Sequence, residues 1–338
     1  GDPDFSVAGF ASAGASGIAP TFSTTTPAVC TVSAAAQVQL LKSGSCTVRA
    51  SQGADANYAA GQVDQTFAVG KRALSVEYTG DNYAATGGPT IGTATIRLSA
   101  TVQRTAGGTL GDLGLARVRF TLTKQGGGSQ TVFASVDASG NAMATANVAA
   151  DNDNQWQVQT TVDPDNAYWS GDFDTDALAV VLGSTEKRTT GGGWIADARS
   201  ANGKANFGFS VAYQKNGSPR GNLTYVYRGT DGYDYVVKSN SWQGGALTFS
   251  NADASVAAFS GRATVQRIDR ATGLADPTWP AGNYTFTVDG VDGDLKNPKV
   301  RDTFAITILD SDGRIWRQVG TRTAPVQLGG GNVAVQSR

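Results

Sequence analysis

The stretch Thr93–Arg104, TATIRLSATVQR, alternates without a break: Ala94, Ile96, Leu98, Ala100 and Val102 share one face, and polar or charged residues share the other. A period of two places these side chains on one side of a strand and scatters them around a helix. The stretch therefore reads as a strand with one face buried and one face wet. Ala116–Lys124 repeats the pattern through Val118, Phe120 and Leu122. Phe207, Phe209 and Val211 repeat it again, ahead of a Lys215-Asn216-Gly217 turn. Further strands read at Tyr233–Lys238, Ala246–Phe249, Ala263–Ile268, Asn283–Val288, Asp302–Leu309 and Val333–Gln336. Thr, Ser, Ala and Val dominate and Gly is abundant at 43 residues, a mixture suited to short strands and tight turns. The expected fold class is all-β.

At 338 residues the chain is too long for one small core, so two or three domains are expected. Its 27 basic and 28 acidic residues balance, which leaves no electrostatic footprint for nucleic acid or an anionic membrane. No apolar run approaches the length of a membrane span. The chain opens at Gly1 with no signal peptide and reads as a processed or excised segment. It contains no histidine, the commonest general base and metal ligand, which removes Ser-His-Asp, Cys-His and His-based zinc chemistry.

The two cysteines, Cys30 and Cys46, each open a Cys-Thr-Val frame, 16 positions apart. Both frames read as strands, separated by the run at Val38–Leu41 and a Lys-Ser-Gly-Ser turn. Two readings stand at this level: a disulfide between antiparallel neighbours, or two buried thiols. A bridge over a loop of this length contributes roughly 3 kcal/mol. Two sulfurs without histidine do not make a metal site.

Phe22–Val69 resembles a bacterial immunoglobulin-like repeat of secreted and surface proteins. The resemblance rests on Ser23-Thr24-Thr25-Thr26-Pro27, the two Cys-Thr-Val frames, and Ala56-Asn57-Tyr58-Ala59-Ala60. It implies a small β-sandwich over 1–70, stapled by Cys30–Cys46. In the family an extended strand precedes the position of GDPDFSV, so this domain is expected to lack its first strand and to expose an edge. Residues 71–183 resemble a second such domain. Their ending, Asn166–Val180, echoes Asn57–Val69, and Tyr58, Tyr168 and Trp169 are expected in core packing near a corner. GSTEKRTTGGG, Gly183–Gly193, has linker composition and marks the linker assigned to 184–193. GGGWI, GKANFGFSVAY, GNLTYV, YTFTVDGVDG, DTFAITI and LGGGNVAV make 194–338 resemble a C-terminal all-β domain found at the ends of secreted bacterial repeat proteins. A β-sandwich or jelly-roll-like fold is implied there, with no catalytic assignment to carry over.

Asp172, Asp174 and Asp176 stand at positions 1, 3 and 5 of a calcium-type loop, but Ala177 and Gly183 occupy the places of its Gly and Glu. Asp289, Asp292 and Asp294, and Asp310 with Asp312, read as turn carboxylates. Glycoside hydrolysis needs two facing acids. The only glutamates are Glu77, on an expected edge strand, and Glu186, in the linker. Lys71 and Lys124 are candidates for an isopeptide bond that no spacing singles out. Trp194 reads as core, and Trp242 and Trp279 as loop residues forming a contact surface, since exposed aromatics stack on sugars.

The sequence therefore predicts an exported, non-catalytic chain at a bacterial cell surface, with no cofactor and no metal. It reads as a structural stalk, filament or matrix subunit that self-associates into a fibre or joins neighbouring domains of a larger surface protein. Completing the first domain with a neighbour's strand is one route to a fibre. The competing readings are an adhesive or polysaccharide-binding tip and the non-catalytic tail of a secreted hydrolase.

Overall fold

A computed structural model describes residues 3–86, 92–105, 111–150, 154–181, 187–214, 216, 218–250 and 253–336. The fold is all-β. No helix among the described residues is long and apolar enough to cross a membrane.

The first unit contributes β1 (Phe5–Ser6), β2 (Thr21–Thr24), β3 (Cys30–Val32), β4 (Gln37–Leu40), β5 (Gly44–Gln52) and β6 (Gly61–Val69). These form two three-stranded antiparallel sheets, β1-β4-β3 and β2-β5-β6. A disulfide joins Cys30 of one sheet to Cys46 of the other, with Cα atoms 5.8 Å apart. Its neighbours in the core are few: Val7, Ala36, Val38 and Val48. A core this small leaves much of the tie between the sheets to the covalent bridge.

The second unit contributes β7 (Arg72–Tyr78), β8 (Tyr83–Ala85), β9 (Gly92–Arg104), β10 (Arg117–Lys124), β11 (Ser129–Ser135), β12 (Asn141–Ala150), β13 (Asn154–Val162), β14 (Trp169–Gly171) and β15 (Phe173–Val181). Two sheets, β12-β9-β7-β14 and β11-β10-β13-β15-β8, face each other. The alternating residues of β9, Ala94 to Val102, all point into the space between them and are buried. Gln130–Val148 reads as a hairpin from its turn residues, yet β11 and β12 join opposite sheets and touch through one bridge, Val136–Ala142. The turn at Asp137–Asn141 is present, and it carries the chain across the sandwich.

The third unit contributes β16 (Arg188–Ala196), β17 (Lys204–Tyr213), β18 (Pro219–Arg228), β19 (Tyr233–Phe249), β20 (Val256–Asp269), β21 (Tyr284–Val291), β22 (Thr303–Leu309), β23 (Ile315–Val319) and β24 (Val326–Gln336). Each of β16 to β21 pairs antiparallel with the next, β21 pairs with β22, β22 with both β23 and β24, and β24 returns to β16. The sheet therefore closes on itself, and the sandwich or jelly-roll-like expectation is corrected to an up-and-down barrel. Alternation shows that each strand buries one face. It does not show whether that face meets a second sheet or the far wall of a barrel. A small barrel of this kind is filled by side chains. Here Phe207, Phe209, Phe259, Phe286 and Phe304 fill it, with the Phe207 and Phe304 rings stacked at 3.9 Å.

The linker expected at 184–193 is corrected in the same way. Arg188–Gly193 forms the first two thirds of β16, and residues 182–186 lie outside the described residues. Glycine-rich composition signals a flexible spacer in isolation, but these glycines are where the barrel closes. A Cβ on Gly193 would overlap the carbonyl of Gly330, and one on Gly331 would overlap that of Gly192. Bare backbone is what lets β16 and β24 pass this closely.

The sandwich and the barrel share an extensive contact. Strand β15 buries Leu178 and Val180 in its own sandwich and turns Ala177 toward Val226, Val236 and Ile268 on the outside of the barrel. Phe173 N donates to Arg270 O at 2.8 Å, and Gln125 Nε2 to Ser239 O at 3.1 Å. The first unit meets the second more lightly, through Ser43 N to Ala167 O at 2.9 Å and a cleft of about 310 Å³ beside Leu40, Arg72 and Tyr168.

Candidate functional site

The residues singled out in the sequence do not converge on one catalytic centre. Trp242 lies on β19 rather than in a loop. Its Nε1 donates to Gly221 O at 2.9 Å, and its ring packs on Phe259 and Phe286. Trp279 does lie in a connection, between β20 and β21, where its ring meets Tyr235 at 5.5 Å and Arg267 at 4.7 Å. Both indoles are half-buried against the barrel core. What the geometry gives each of them is a packing role at the barrel wall.

The turn carboxylates are occupied within the chain. Asp292 accepts from Val335 N, and Asp310 from the amides of Asp312 and Arg314. Asp289 lies on β21 rather than in a turn and faces Arg322 at 3.8 Å, and Asp294 pairs with Lys299 at 3.2 Å. Lys71 Nζ donates to Pro164 O at 2.6 Å. Among the described residues no three His, Cys, Asp or Glu side chains are placed to hold a metal ion. Glu186 lies outside the described residues.

Of the three aromatic residues expected near a corner, Trp169 is buried, with Nε1 donating to Asp112 O at 3.0 Å. Tyr58 and Tyr168 are exposed instead, at 46% and 39%. Each sits in a turn that a preceding side chain organises: Asp55 accepts from the amides of Asn57 and Tyr58, and Asn166 from those of Tyr168 and Trp169. The two endings thus share a turn design, organised by Asp55 in the first and by Asn166 in the second.

Two places remain where the architecture leaves something unfinished or draws distant residues together. One is the edge of β6. In the second unit, β10-β13-β15 repeats the arrangement β2-β5-β6, and β8 then adds alongside β15 in parallel, pairing Tyr83–Ala85 with Ala179–Val181. Among the described residues, nothing occupies the corresponding place beside β6. The barrel covers β15, whereas most of β6 is exposed, including Val63 at 65%. Beside it runs a groove of about 520 Å³, lined by Phe5, Phe10, Phe22, Ala50, Val63 and Phe67 among others. Phe10, at 83% exposed, hangs over its rim.

The other place is the seam between sandwich and barrel, where the aspartates that resembled a calcium loop now lie on and beside β15. Asp174 and Asp176 are buried, and Arg228 of β18 reaches Asp174 at 2.9 Å. Burial raises Asp172 and Asp176 above the usual carboxylate range, with the charge of Asp174 adding to both. Burial also pushes Asp234, on β19, up to about 7. No pattern along the sequence links Asp174 to Arg228, 54 positions away, because the contact exists only once the two units dock.

No family model matches the chain, and no curated protein matches it. Three solved structures show a partial likeness. One is a tetra-tandem repeat from the extending region of a large adhesion protein, with TM-score 0.25 and 16% identity over 83% of this chain and 87% of that one. The others are from surface layer protein SbsC. Domains 1–6 give TM-score 0.21 and 11% identity over 78% of this chain and 32% of that one. Domains 4–9 give TM-score 0.17 and 12% identity over 88% and 45%. The chain spans less than half of either SbsC structure. At these TM-scores the superpositions do not define a shared overall arrangement, and nothing below rests on them.

Proposed function

We propose that this chain is a non-catalytic structural component of an extracellular surface assembly, and that its first unit is where it joins a second copy. The observation that carries this reading is the contrast between β6 and β15. The same chain builds the same three-strand arrangement twice. Among the described residues, one is completed by a parallel strand and a covering barrel, and the other keeps an open edge and an apolar groove. An exposed edge is a template for an added strand: backbone pairing supplies affinity and alternate side chains fill the groove. A strand placed as β8 is placed beside β15 completes the sheet.

The rest of the molecule fits a load-bearing role. A staple between two sheets, a closed barrel, and carboxylates engaged by backbone amides make a rigid scaffold. The disulfide suits an oxidising exterior.

Light scattering across a concentration series tests the assembly. Wild-type protein is expected to grow in mass with concentration, and Val63→Asp to remain at the mass of one chain. Val63 is exposed, so the charge is tolerated by the single chain. Equal association by both proteins excludes the β6 groove as the joint, and a monomeric wild type contradicts self-assembly.

A further inference from the structure

Strand β7 runs to Tyr78, but its neighbour β14 pairs with it only as far as Leu74. Beyond that point the edge of β7 has no strand, and four side chains take its place. Asp172 accepts from Val76 N at 3.0 Å, and Asp174 accepts from Tyr78 N at 2.6 Å. From the barrel, Arg228 Nη2 donates to Val76 O at 3.3 Å, and Lys204 Nζ donates to Tyr78 O at 3.3 Å. Two carboxylates of the sandwich and two cations of the barrel thus hold, in turn, the donors and acceptors that a strand would hold.

The charged groups around this edge come from every packed element. Arg228 also binds Asp174 at 2.9 Å and faces Asp172 at 3.8 Å and Asp234 at 3.9 Å. Lys204 pairs with Glu77 of β7 at 2.9 Å. Asp234 accepts from Thr175 N at 3.0 Å across the seam, and Arg270 stands 3.9 Å from it. Asp176 is fully enclosed, with Asn82 Nδ2 at 3.3 Å and its own neighbour's Ala177 N at 3.0 Å, and Lys204 as the cation acting on it. Asp81 faces Arg97 at 3.6 Å on the rim.

We propose that this seam is a proton-linked clamp, which makes residues 71–336 unfold as one block and grips more tightly as the pH falls from about 8 towards about 5. The acids crowded here outnumber the cations, and burial favours the neutral forms of Asp172, Asp176 and Asp234. Asp176 and Asp234 hold protons in the docked state that they release on undocking. A carboxyl raised in this way favours the docked state at low pH, and that advantage is lost as the pH rises through its docked value. Lys204 and Arg228 stay charged: burial opposes this, and Asp176 and Glu77 for the first, Asp174 and Asp234 for the second, outweigh it.

Scanning calorimetry of the full chain between pH 5 and pH 8 reads the clamp. At pH 5, sandwich and barrel are expected to melt in one transition, separate from the first unit, and Arg228→Met is expected to split that transition in two. The unfolding constant of the block should rise at least about tenfold between pH 5 and pH 8. In the double variant Asp176→Asn, Asp234→Asn it should change by less than about threefold. Infrared spectroscopy of the wild type at pH 6 needs no variant to fold, and is expected to show a protonated, buried carboxyl band. Separate melting of sandwich and barrel at pH 5, an unaltered pH profile in the double variant, or no such band overturns the proposal.

Discussion

Trp194 lies across Gly330: its indole Nε1 is 2.7 Å from where a Cβ on that glycine would stand. The neighbouring Gly329 would overlap the same ring, so the indole occupies space that two absent side chains leave free. This contact seals the barrel where β16 and β24 meet, with a register shift between Trp194 and Ile195.

Any branched side chain at this seal is expected to force the ring out or the strands apart. Gly330→Val should destabilise the barrel by about 1–3 kcal/mol, the usual cost of overpacking. Trp194→Ala, which strips the half-buried indole from over Gly329 and Gly330, should cost less than a core truncation, about 1–2 kcal/mol. Chemical denaturation of each variant measures both. A Gly330→Val protein as stable as wild type would place the ring elsewhere.

The first unit is expected to depend on its staple. Replacing Cys30 and Cys46 with serine should cost about 3 kcal/mol by the chain-entropy estimate for a loop of this length. With so few buried neighbours around the bridge, that loss should melt the first unit while the barrel persists. Calorimetry with and without reductant separates the two transitions.

Asp197 and Arg317 form a buried ion pair at the barrel end, with Arg317 3.9 Å above the Tyr227 ring and Asp197 accepting from Tyr225 Oη at 3.4 Å. Arg317→Leu alone strands a buried carboxylate and should cost about 3–5 kcal/mol. Removing both charges, as Asp197→Leu with Arg317→Leu, should cost less than the single change. A double variant at least as destabilised as Arg317→Leu alone would contradict this pairing.

The strands were legible in the sequence because each buries one face, as Ala94 to Val102 do. The closure of the barrel was not legible: Gly191–Gly193 and Gly329–Gly331 have the composition of a spacer until they lie against each other. Strand β15 hid its role for a related reason. It is buried on both faces, so Asp174 and Asp176 have no wet alternation to explain them, and their partner Arg228 belongs to another unit. Trp242 read as a loop residue because Gly244 and Gly245 follow it. The long β19 absorbs them in an irregular stretch between Trp242 and Leu247.

The central claim is that β6 receives a strand. Hydrogen exchange, followed amide by amide along Gly61–Val69 in dilute and in associated protein, tests it most directly. The account predicts that amides on the edge away from β5 exchange freely in the single chain and become protected on association. Association that leaves these amides as exposed as before would contradict it.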